Sequence, residues 1–268
     1  MFQTNKLLHL LSGTRFTMSI PGTEIFRCYD DLGAIRVFEQ GSIRYLAFSE
    51  DSQQSAIDVS RPSDLVFEYT QAMFLGLVYL PSPKRITLLG LGAGSLVHAF
   101  REYAKDLLID AVELRPQVIK VAQDWFQLPC EDDRLNLIPE DAEQYMSGHC
   151  GETDLILADV YNDDGMLDLQ LSPAFLTHCF NALSRNGILI LNLWDQGKGM
   201  HPKAKQALDM HFGANCLSCS IGGDNLIVLA FKGGMPQIND RHLQPLIKRL
   251  SKRLPFSVSK FAGILKEL

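Results

Sequence analysis

The sequence lacks the long apolar runs, the excess of basic residues and the dense cysteine pattern that mark several protein classes. No apolar run in its 268 residues approaches the roughly 20 residues that a membrane-spanning helix needs. Lysine and arginine number 25 against 31 acidic residues, and the net charge of −6 argues against a nucleic-acid-binding surface over the whole protein. The six cysteines are too few and too irregularly spaced for a disulfide scaffold. We therefore expect a cytoplasmic protein with reduced cysteines and with neither a membrane nor a nucleic acid as partner.

The sequence patterns of several site types are missing as well. Cys216 and Cys219 have C-x-x-C spacing, but no second ligand pair stands nearby, so we expect no metal site. No nucleophile elbow and no Ser-His-Asp order is present. The N-terminal residues show no small-residue cleavage site of a signal peptide.

The first 62 residues form a strand-rich piece. Short alternating segments at 34–38, 42–48 and 55–59 are strand candidates, and turn-forming residues separate them. From residue 63 to residue 80 the apolar spacing becomes helical, and Pro81 and Pro83 end that helix.

Strands and helices alternate through the next segment, which we assign to one domain at 63–234. The predicted strands are one that begins at Arg85 and others at 107–113, 135–138, 154–159 and 187–194. Helices are predicted at 95–103, 116–126, 141–146 and 172–184. This alternation is typical of a doubly wound, mostly parallel α/β sheet.

The sequence at the end of this domain indicates which type of α/β sheet the domain has. Two strand candidates at 215–221 and 225–231 are joined by Gly222-Gly223-Asp224, which favours a hairpin. A parallel sheet closed by an antiparallel hairpin is the class I methyltransferase-like fold, here preceded by a small N-terminal β domain. The basic segment at 235–268 is predicted to be an amphipathic helical tail packed on the body.

A glycine turn follows the first strand of the α/β domain. Gly90, Gly92 and Gly94 stand in the segment GLGAGS, and a helix begins at Ser95. Glycine lets the backbone turn tightly and lets a ligand approach, and the helix N-terminus presents free N–H groups. The spacing G-x-G-x-G departs from the dinucleotide fingerprint, which has its third glycine at the position of Ser95. The turn therefore favours a nucleoside with an amino-acid-like group, or is purely structural.

Acidic residues follow three successive strands of this domain. Glu113 ends the second strand, where a carboxylate can accept both ribose hydroxyls. Asp141 follows the third strand and is either an acceptor for an adenine amine or the N-cap of the next helix. Asp159 ends the fourth strand, beside the expected reaction centre. The acids after it, Asp163 among them, either bind a cationic substrate or are solvated.

Together these residues resemble the spermidine synthase family, the polyamine aminopropyltransferases, from about residue 34 to residue 231. The family's G-G-G-D-G-G motif corresponds to GLGAGS at 90–95, and its D-G-x-x-F element corresponds to DAEQY at 141–145. Its D-S-S-D-P-x-G-P loop aligns without a gap on residues 159–166. In the N-terminal piece, Gln54 resembles a cofactor-contacting glutamine and Tyr69 the tyrosine of the substrate gate.

The resemblance implies a role for each matching residue. Asp159 corresponds to the catalytic proton acceptor. The implied substrate-binding residues are Tyr69, Asn162 and Asp163. The implied cofactor-binding residues are Gln54, Gly90, Gly92, Gly94, Glu113, Asp141 and Ala142.

Three positions depart from the family's pattern. Ala93 replaces the glycine-loop aspartate that holds the amine end of the cofactor's propyl chain, and Asn162 replaces the loop's second aspartate. Arg115 stands where the family usually has aspartate. The nucleoside half of the expected site is retained, whereas its amine half is reduced.

The resemblance implies a transferase that uses S-adenosylmethionine or its decarboxylated form as co-substrate, without a metal. Aminopropyl transfer to a small-molecule amine is the first hypothesis, and the family further suggests a homodimer. Methyl transfer from S-adenosylmethionine to another small acceptor uses the same fold and is the second. A non-catalytic member that binds a nucleoside or a partner protein is the third.

Overall fold

A computed structural model describes residues 20–49, 53–162, 165–166, 168–194, 202–222, 225–236 and 240–268. The N-terminal part is an antiparallel sheet whose four strands lie in chain order. The strands are β1 Thr23–Asp30, β2 Gly33–Gln40, β3 Ile43–Ala47 and β4 Gln53–Asp58. The sequence predicted the last three and missed β1, an edge strand that is exposed or only partly buried along its whole length.

The helix predicted at 63–80 is two short helices, α1 Glu68–Met73 and α2 Gly76–Tyr79. The prediction was wrong at its start because Leu65 forms a β-bridge with Ile57 and Phe67 is extended. Leu65 therefore still pairs with the N-terminal sheet before the chain becomes helical.

A second sheet, with eight strands among the described residues, follows in the order β14-β12-β13-β11-β8-β5-β6-β7. Its first elements are β5 Arg85–Leu89, α3 Ser95–Tyr103, β6 Leu108–Glu113, α4 Pro116–Phe126, β7 Leu135–Pro139, α5 Ala142–Ser147 and β8 Thr153–Ala158. The next are β9 Tyr161–Asn162, β10 Gly165–Met166, a 3₁₀ turn Asp168–Leu171, α6 Pro173–Ala182 and β11 Leu183–Trp194. The remaining elements are α7 Pro202–Phe212, β12 Cys216–Ile221, β13 Asn225–Phe231, α8 Asp240–Ser251, α9 Ser259–Ala262 and β14 Lys266–Glu267.

Strands β11, β8, β5, β6 and β7 are parallel, and β13, β12 and β14 are antiparallel to their neighbours. This confirms the predicted methyltransferase-like sheet with its C-terminal hairpin. The chain runs outward from β5 in one direction and from β8 in the other, so the strand order reverses between β5 and β8. In open α/β sheets, ligands bind beyond the carboxyl ends of the strands at such a point.

Helices cover both faces of this sheet, and each face has its own apolar core. On β11, Ile188 and Ile190 belong to one core, whereas Leu189 and Leu191 belong to the other. A strand buried on both faces has a continuous apolar sequence, as this one does. The helix predicted to reach residue 184 ends at Ala182, because the chain already pairs with β8 at Leu183.

Through its apolar face, the C-terminal tail packs on the core that contains Ile188 and Ile190. Ile247 and Leu250 of α8 are buried, as the amphipathic pattern predicts. The tail is not helical to its end, since β14 pairs with β12. None of the helices in the described residues is long and apolar enough to cross a membrane. The boundaries proposed at residues 62 and 234 stay predictions.

Candidate active site

The carboxyl ends of β5 and β8 are in direct contact through their backbones. The Asp159 N–H donates to the Leu89 carbonyl at 2.9 Å, and on the other side of β5 the Gly90 N–H donates to the Val112 carbonyl of β6 at 2.9 Å. Gly90 has a φ of +93°, and a Cβ at this position would collide with the carbonyl oxygen of Asp159. The glycine therefore permits the close approach that brings the glycine turn and Asp159 together.

The N-terminal sheet lies over the same glycine turn. A Cβ at Gly92 would come within 3.0 Å of the Ser55 side chain on β4. Ala93 is fully buried in an apolar cluster with Ile35 and Val37 of β2. The other buried members of this cluster lie on β3, β4 and α4. The fourth position of the glycine motif thus packs between the two sheets.

Glu113 lies at the end of β6 and faces the glycine turn. Its Oε2 accepts the Leu91 N–H at 3.1 Å, and its Oε1 accepts the Arg115 N–H at 3.0 Å. Burial raises the pKa of this carboxyl above its usual value, while the N–H donors of Arg115, Leu91 and Gly92 and the charge of Arg115 oppose that rise. A partly buried carboxylate beside a glycine turn is suited to accept hydroxyl groups.

Asp159 follows β8 and is held by two neutral donors. The Asn192 Nδ2 donates to its Oδ1 at 2.8 Å, and the Tyr69 hydroxyl donates to the same carboxyl group. Burial raises the pKa of Asp159, and these two hydrogen bonds oppose the rise. Burial, with the neighbouring negative charge, raises the pKa of Tyr69 well above its usual value, so this hydroxyl is a proton donor. The carboxylate is thus desolvated and fixed in orientation.

Asn192 is a site residue that our sequence analysis missed. It is 2% exposed on β11, and its Oδ1 has no hydrogen-bond partner among the described residues. Its backbone carbonyl accepts the Tyr161 hydroxyl at 3.2 Å, which brings a second tyrosine beside Asp159. The signal was present, since Asn192 is a polar residue within the apolar run that ends β11.

Asp141 is the N-cap of α5, which was one of its two predicted roles. Its Oδ1 accepts the N–H groups of Glu143 and Gln144 at 2.9 and 3.0 Å. Ala142 is buried directly behind it. The cap uses one oxygen of an exposed carboxylate that follows β7, so contact with an adenine amine stays a prediction for the second oxygen.

Among the residues predicted for the substrate side, the structure places Tyr69 next to Gln54, whereas Asp163 is not described. The Tyr69 hydroxyl lies 3.5 Å from the carbonyl oxygen of Gln54, so both residues are next to the glycine turn and Asp159. Asn162 lies in β9, which pairs with β10, close along the chain to Asp159. Asp163 is outside the described residues. The substrate roles of these residues stay predictions.

The arrangement combines a hydroxyl-accepting carboxylate, a glycine turn and a second, desolvated carboxylate beyond one edge of the sheet. Such a carboxylate can take a proton from an ammonium group at the moment of attack. The first carboxylate and the turn suit a ribose or similar polyol. The residues present therefore fit a nucleoside co-substrate.

Comparison with known sequences finds relatives over most of the chain, although no family profile matches it. The polyamine aminopropyltransferases of Chromobacterium violaceum and Neisseria meningitidis serogroup A are 30% and 31% identical over 233 residues, which are 87% of this chain and 89% of each relative. The eEF1A lysine and N-terminal methyltransferase of Xenopus laevis is 31% identical over 161 residues, which are 54% of this chain and 23% of that protein.

Solved structures agree with the fold. A spermidine synthase in complex with the transition-state analogue AdoDATO has a TM-score of 0.65 at 17% identity, and covers 87% of this chain and 88% of its own. Human methyltransferase-like protein 13 in complex with SAH has a TM-score of 0.63 at 24% identity, and covers 71% of this chain and 93% of its own. At these identities the likeness shows the shared methyltransferase-like fold.

Proposed function

The chain belongs to the polyamine aminopropyltransferase family, and on that premise we propose that it is a transferase that moves an aminopropyl group from decarboxylated S-adenosylmethionine to a small amine. The observation that carries the proposal is the Asp159 carboxylate, which Asn192 and Tyr69 hold in place while the Asp159 backbone lies against the glycine turn. It lies at the strand-order reversal, where the reacting groups of a bound nucleoside and an amine would meet.

The reaction is a displacement at the carbon beside the sulfonium sulfur. The amine nitrogen forms a bond to that carbon, the carbon–sulfur bond breaks, and its electron pair neutralises the sulfur to give methylthioadenosine. An amine with an ordinary pKa of about 10.4 is protonated at neutral pH and has to lose a proton before it attacks. Asp159 orients the amine and accepts that proton, and positioning of the two reactants supplies much of the remaining rate.

Glu113 and the glycine turn bind the nucleoside half of the donor. The Glu113 carboxylate accepts the two ribose hydroxyls, and Asp141 accepts the adenine amine with the oxygen that does not cap α5. Gln54 and Ser55 of β4 close the site from the side of the N-terminal sheet. This assignment is supported by the position of Glu113 next to Leu91 and of Ser55 next to Gly92.

Methyl transfer from S-adenosylmethionine is the second candidate, and one observation favours it. Position 93 is a buried alanine within an apolar cluster, so the glycine motif offers no carboxylate for the ammonium end of an aminopropyl donor. The same pocket would hold S-adenosylmethionine, with an acceptor other than a diamine. A location in the cytoplasm and a homodimer stay predictions.

Calorimetry with decarboxylated S-adenosylmethionine, S-adenosylmethionine and methylthioadenosine tests the proposal. We expect methylthioadenosine and the decarboxylated donor to bind, and the decarboxylated donor to be consumed when amines are added. If S-adenosylmethionine is consumed and its decarboxylated form is not, the assigned activity becomes methyl transfer. Binding of none of the three would defeat both enzymatic hypotheses.

A further inference from the structure

Arg115, one of the departures from the family pattern, joins the two sheets. It follows Glu113 by two residues and is the residue before α4, and only 7% of it is exposed. Its Nε and Nη2 donate to the two carboxylate oxygens of Asp30 at 2.9 and 2.7 Å. Nη2 also donates to the Gly33 carbonyl at 3.0 Å. A residue of the α/β domain thus holds the turn between β1 and β2, 85 positions away in the sequence.

The geometry of this contact requires arginine. The guanidinium binds Asp30 with two parallel N–H groups, and the Phe48 ring lies 4.6 Å from its carbon. Lysine cannot reproduce the planar fork, and its ammonium does not stack on a ring in the same way. Asp30 is itself fixed, because its Oδ1 accepts the Leu32 N–H at 2.9 Å.

The other end of Arg115 acts on Glu113. Its backbone N–H is one of the donors to the Glu113 carboxylate, at 3.0 Å, and its positive charge favours the ionised form of that carboxyl. The same sheet that Arg115 holds also lies on the glycine turn, with Ser55 against Gly92. One residue therefore contacts both parts: the Arg115 guanidinium holds the turn of the N-terminal sheet, and its backbone N–H and positive charge act on the Glu113 carboxylate.

We propose that Arg115 is a positioning residue that couples the N-terminal sheet to Glu113 and thereby holds the nucleoside site in its binding geometry. This inference rests on the proposed function, in which Glu113 binds the nucleoside. It assigns a role to a residue that touches neither the nucleoside nor the amine. It also predicts that Asp30, at the far end of the contact, affects nucleoside affinity.

The test is the affinity for methylthioadenosine, measured by calorimetry on variants that are shown to be folded. We expect Arg115→Gln and Asp30→Asn each to weaken binding about tenfold, and the double variant to be no weaker than the worse single one, because both remove the same interaction. Arg115→Lys should fall between wild type and Arg115→Gln, since it keeps the charge without the fork.

Arg44→Gln is the matched control. Arg44 also bridges the N-terminal sheet to α4, since its Nη1 donates to the Trp125 carbonyl at 2.6 Å, but it does so at the other end of that helix, away from Glu113. We expect Arg44→Gln to lower the melting temperature and to leave the affinity at the wild-type value. An equal loss of affinity in Arg44→Gln would overturn the proposal, because any weakening of the interface would then suffice.

Unchanged affinity in folded Arg115→Gln would overturn it as well. Should that variant fail to fold, Asp30→Asn decides the question, because it leaves the arginine and its carbonyl contacts in place. Failure of the proposed function is recognised separately. In that case wild-type protein binds no methylthioadenosine, or Glu113→Gln binds it as tightly as wild type does.

Discussion

The Nδ2 of Asn192 lies 2.8 Å from the Oδ1 of Asp159, so the ends of two neighbouring parallel strands are joined by a hydrogen bond inside the candidate active site. This bond and the one from Tyr69 come from neutral groups. They fix the carboxylate without pairing it with a cation, which leaves its charge available to an ammonium group.

Asp159→Asn should abolish most of the transferase activity. The amide keeps the shape of the side chain but cannot accept a proton from an ammonium group, so we expect turnover to fall by about 10²- to 10⁴-fold. Affinity for methylthioadenosine should stay nearly constant, because Asp159 acts on the amine. Both quantities are measured on one preparation.

Asp154→Asn provides the control for this variant. Asp154 lies at the other end of β8 and accepts hydrogen bonds from the Lys84 N–H and the Ser184 hydroxyl. Its role is structural, so turnover should stay close to wild type in the folded variant. Near-normal turnover in Asp159→Asn would remove Asp159 from the mechanism.

The stability of Asp159→Asn should depend on pH with a definite sign. The pKa of Asp159 is raised in the folded protein above its value of about 3.9 in an unfolded chain. Such a group stabilises the fold fully below its unfolded pKa, and this contribution is lost as pH rises through the folded pKa. The variant stays neutral and avoids the loss. Its melting temperature relative to wild type should therefore rise between about pH 4 and neutral pH.

Asp132→Asn should show the opposite slope. The hydrogen bonds from Arg101 lower the pKa of Asp132 in the folded protein. A carboxyl with a lowered pKa stabilises the fold above its unfolded pKa, and this stability is lost as pH falls. The same slope in both variants would contradict the assignment of Asp159 as the group responsible.

Glu113→Gln should weaken nucleoside binding while the fold stays intact. The amide can no longer accept two hydroxyls as an anion, and hydrogen bonds to charged groups contribute about 1.5 to 3 kcal/mol. This corresponds to a loss of about 10- to 150-fold in affinity for methylthioadenosine. Glu102→Gln, at an exposed position of α3, is the control and should bind as wild type does. Equal affinity of the Glu113 variant and wild type would exclude the ribose assignment.

The sequence predicted the parts of the fold and the site that depend on local pattern. Alternating strands and helices predicted the parallel sheet, and acids at successive strand ends were correctly expected at one edge, since parallel strands end together. The helix α7 was missed although Pro202 at its start and the spacing of Ala204, Ala207 and Leu208 indicate one. That signal was local and could have been used.

The contacts between distant residues had no local signal. Arg115 was recognised only as a departure, because its partner Asp30 lies 85 residues earlier in an edge strand that the pattern did not predict. Asn192 was visible only as a polar residue in the apolar run that ends β11, and its contact with Asp159 depends on the side-by-side pairing of β11 and β8. Neither relationship follows from periodicity.

Two substitutions separate the capping role of Asp141 from nucleoside binding. Asp141→Ala removes the cap of α5 and should lower the free energy of unfolding by about 0.5 to 2 kcal/mol. Asp141→Ser keeps a capping oxygen on a shorter side chain, so the fold should stay close to wild-type stability. If Asp141 also contacts the adenine, Asp141→Ser binds methylthioadenosine more weakly at wild-type stability. Wild-type affinity in Asp141→Ser would limit Asp141 to the cap.

Putrescine should be a poor acceptor, and Ala93→Asp should not repair this. The glycine motif has no carboxylate, and Asn162 is neutral where the resemblance expects an aspartate. A diamine with two cationic ends therefore finds fewer anionic partners. Restoring the aspartate at position 93 would place a charge among Ile35, Val37 and their apolar neighbours.

An unpaired carboxylate at position 93 should destabilise the protein by about 3 to 5 kcal/mol, because burial leaves its charge uncompensated. Ala93→Asn is the control, since it adds the same volume without the charge. We expect denaturant unfolding to show the larger loss for Ala93→Asp, and spermidine formation from putrescine to stay slow in every folded variant. Rapid spermidine formation by wild type would refute the expectation for putrescine. A stable Ala93→Asp with raised activity would show that position 93 faces the donor, because a charge tolerated there has to be solvated or paired with the ammonium end of the substrate.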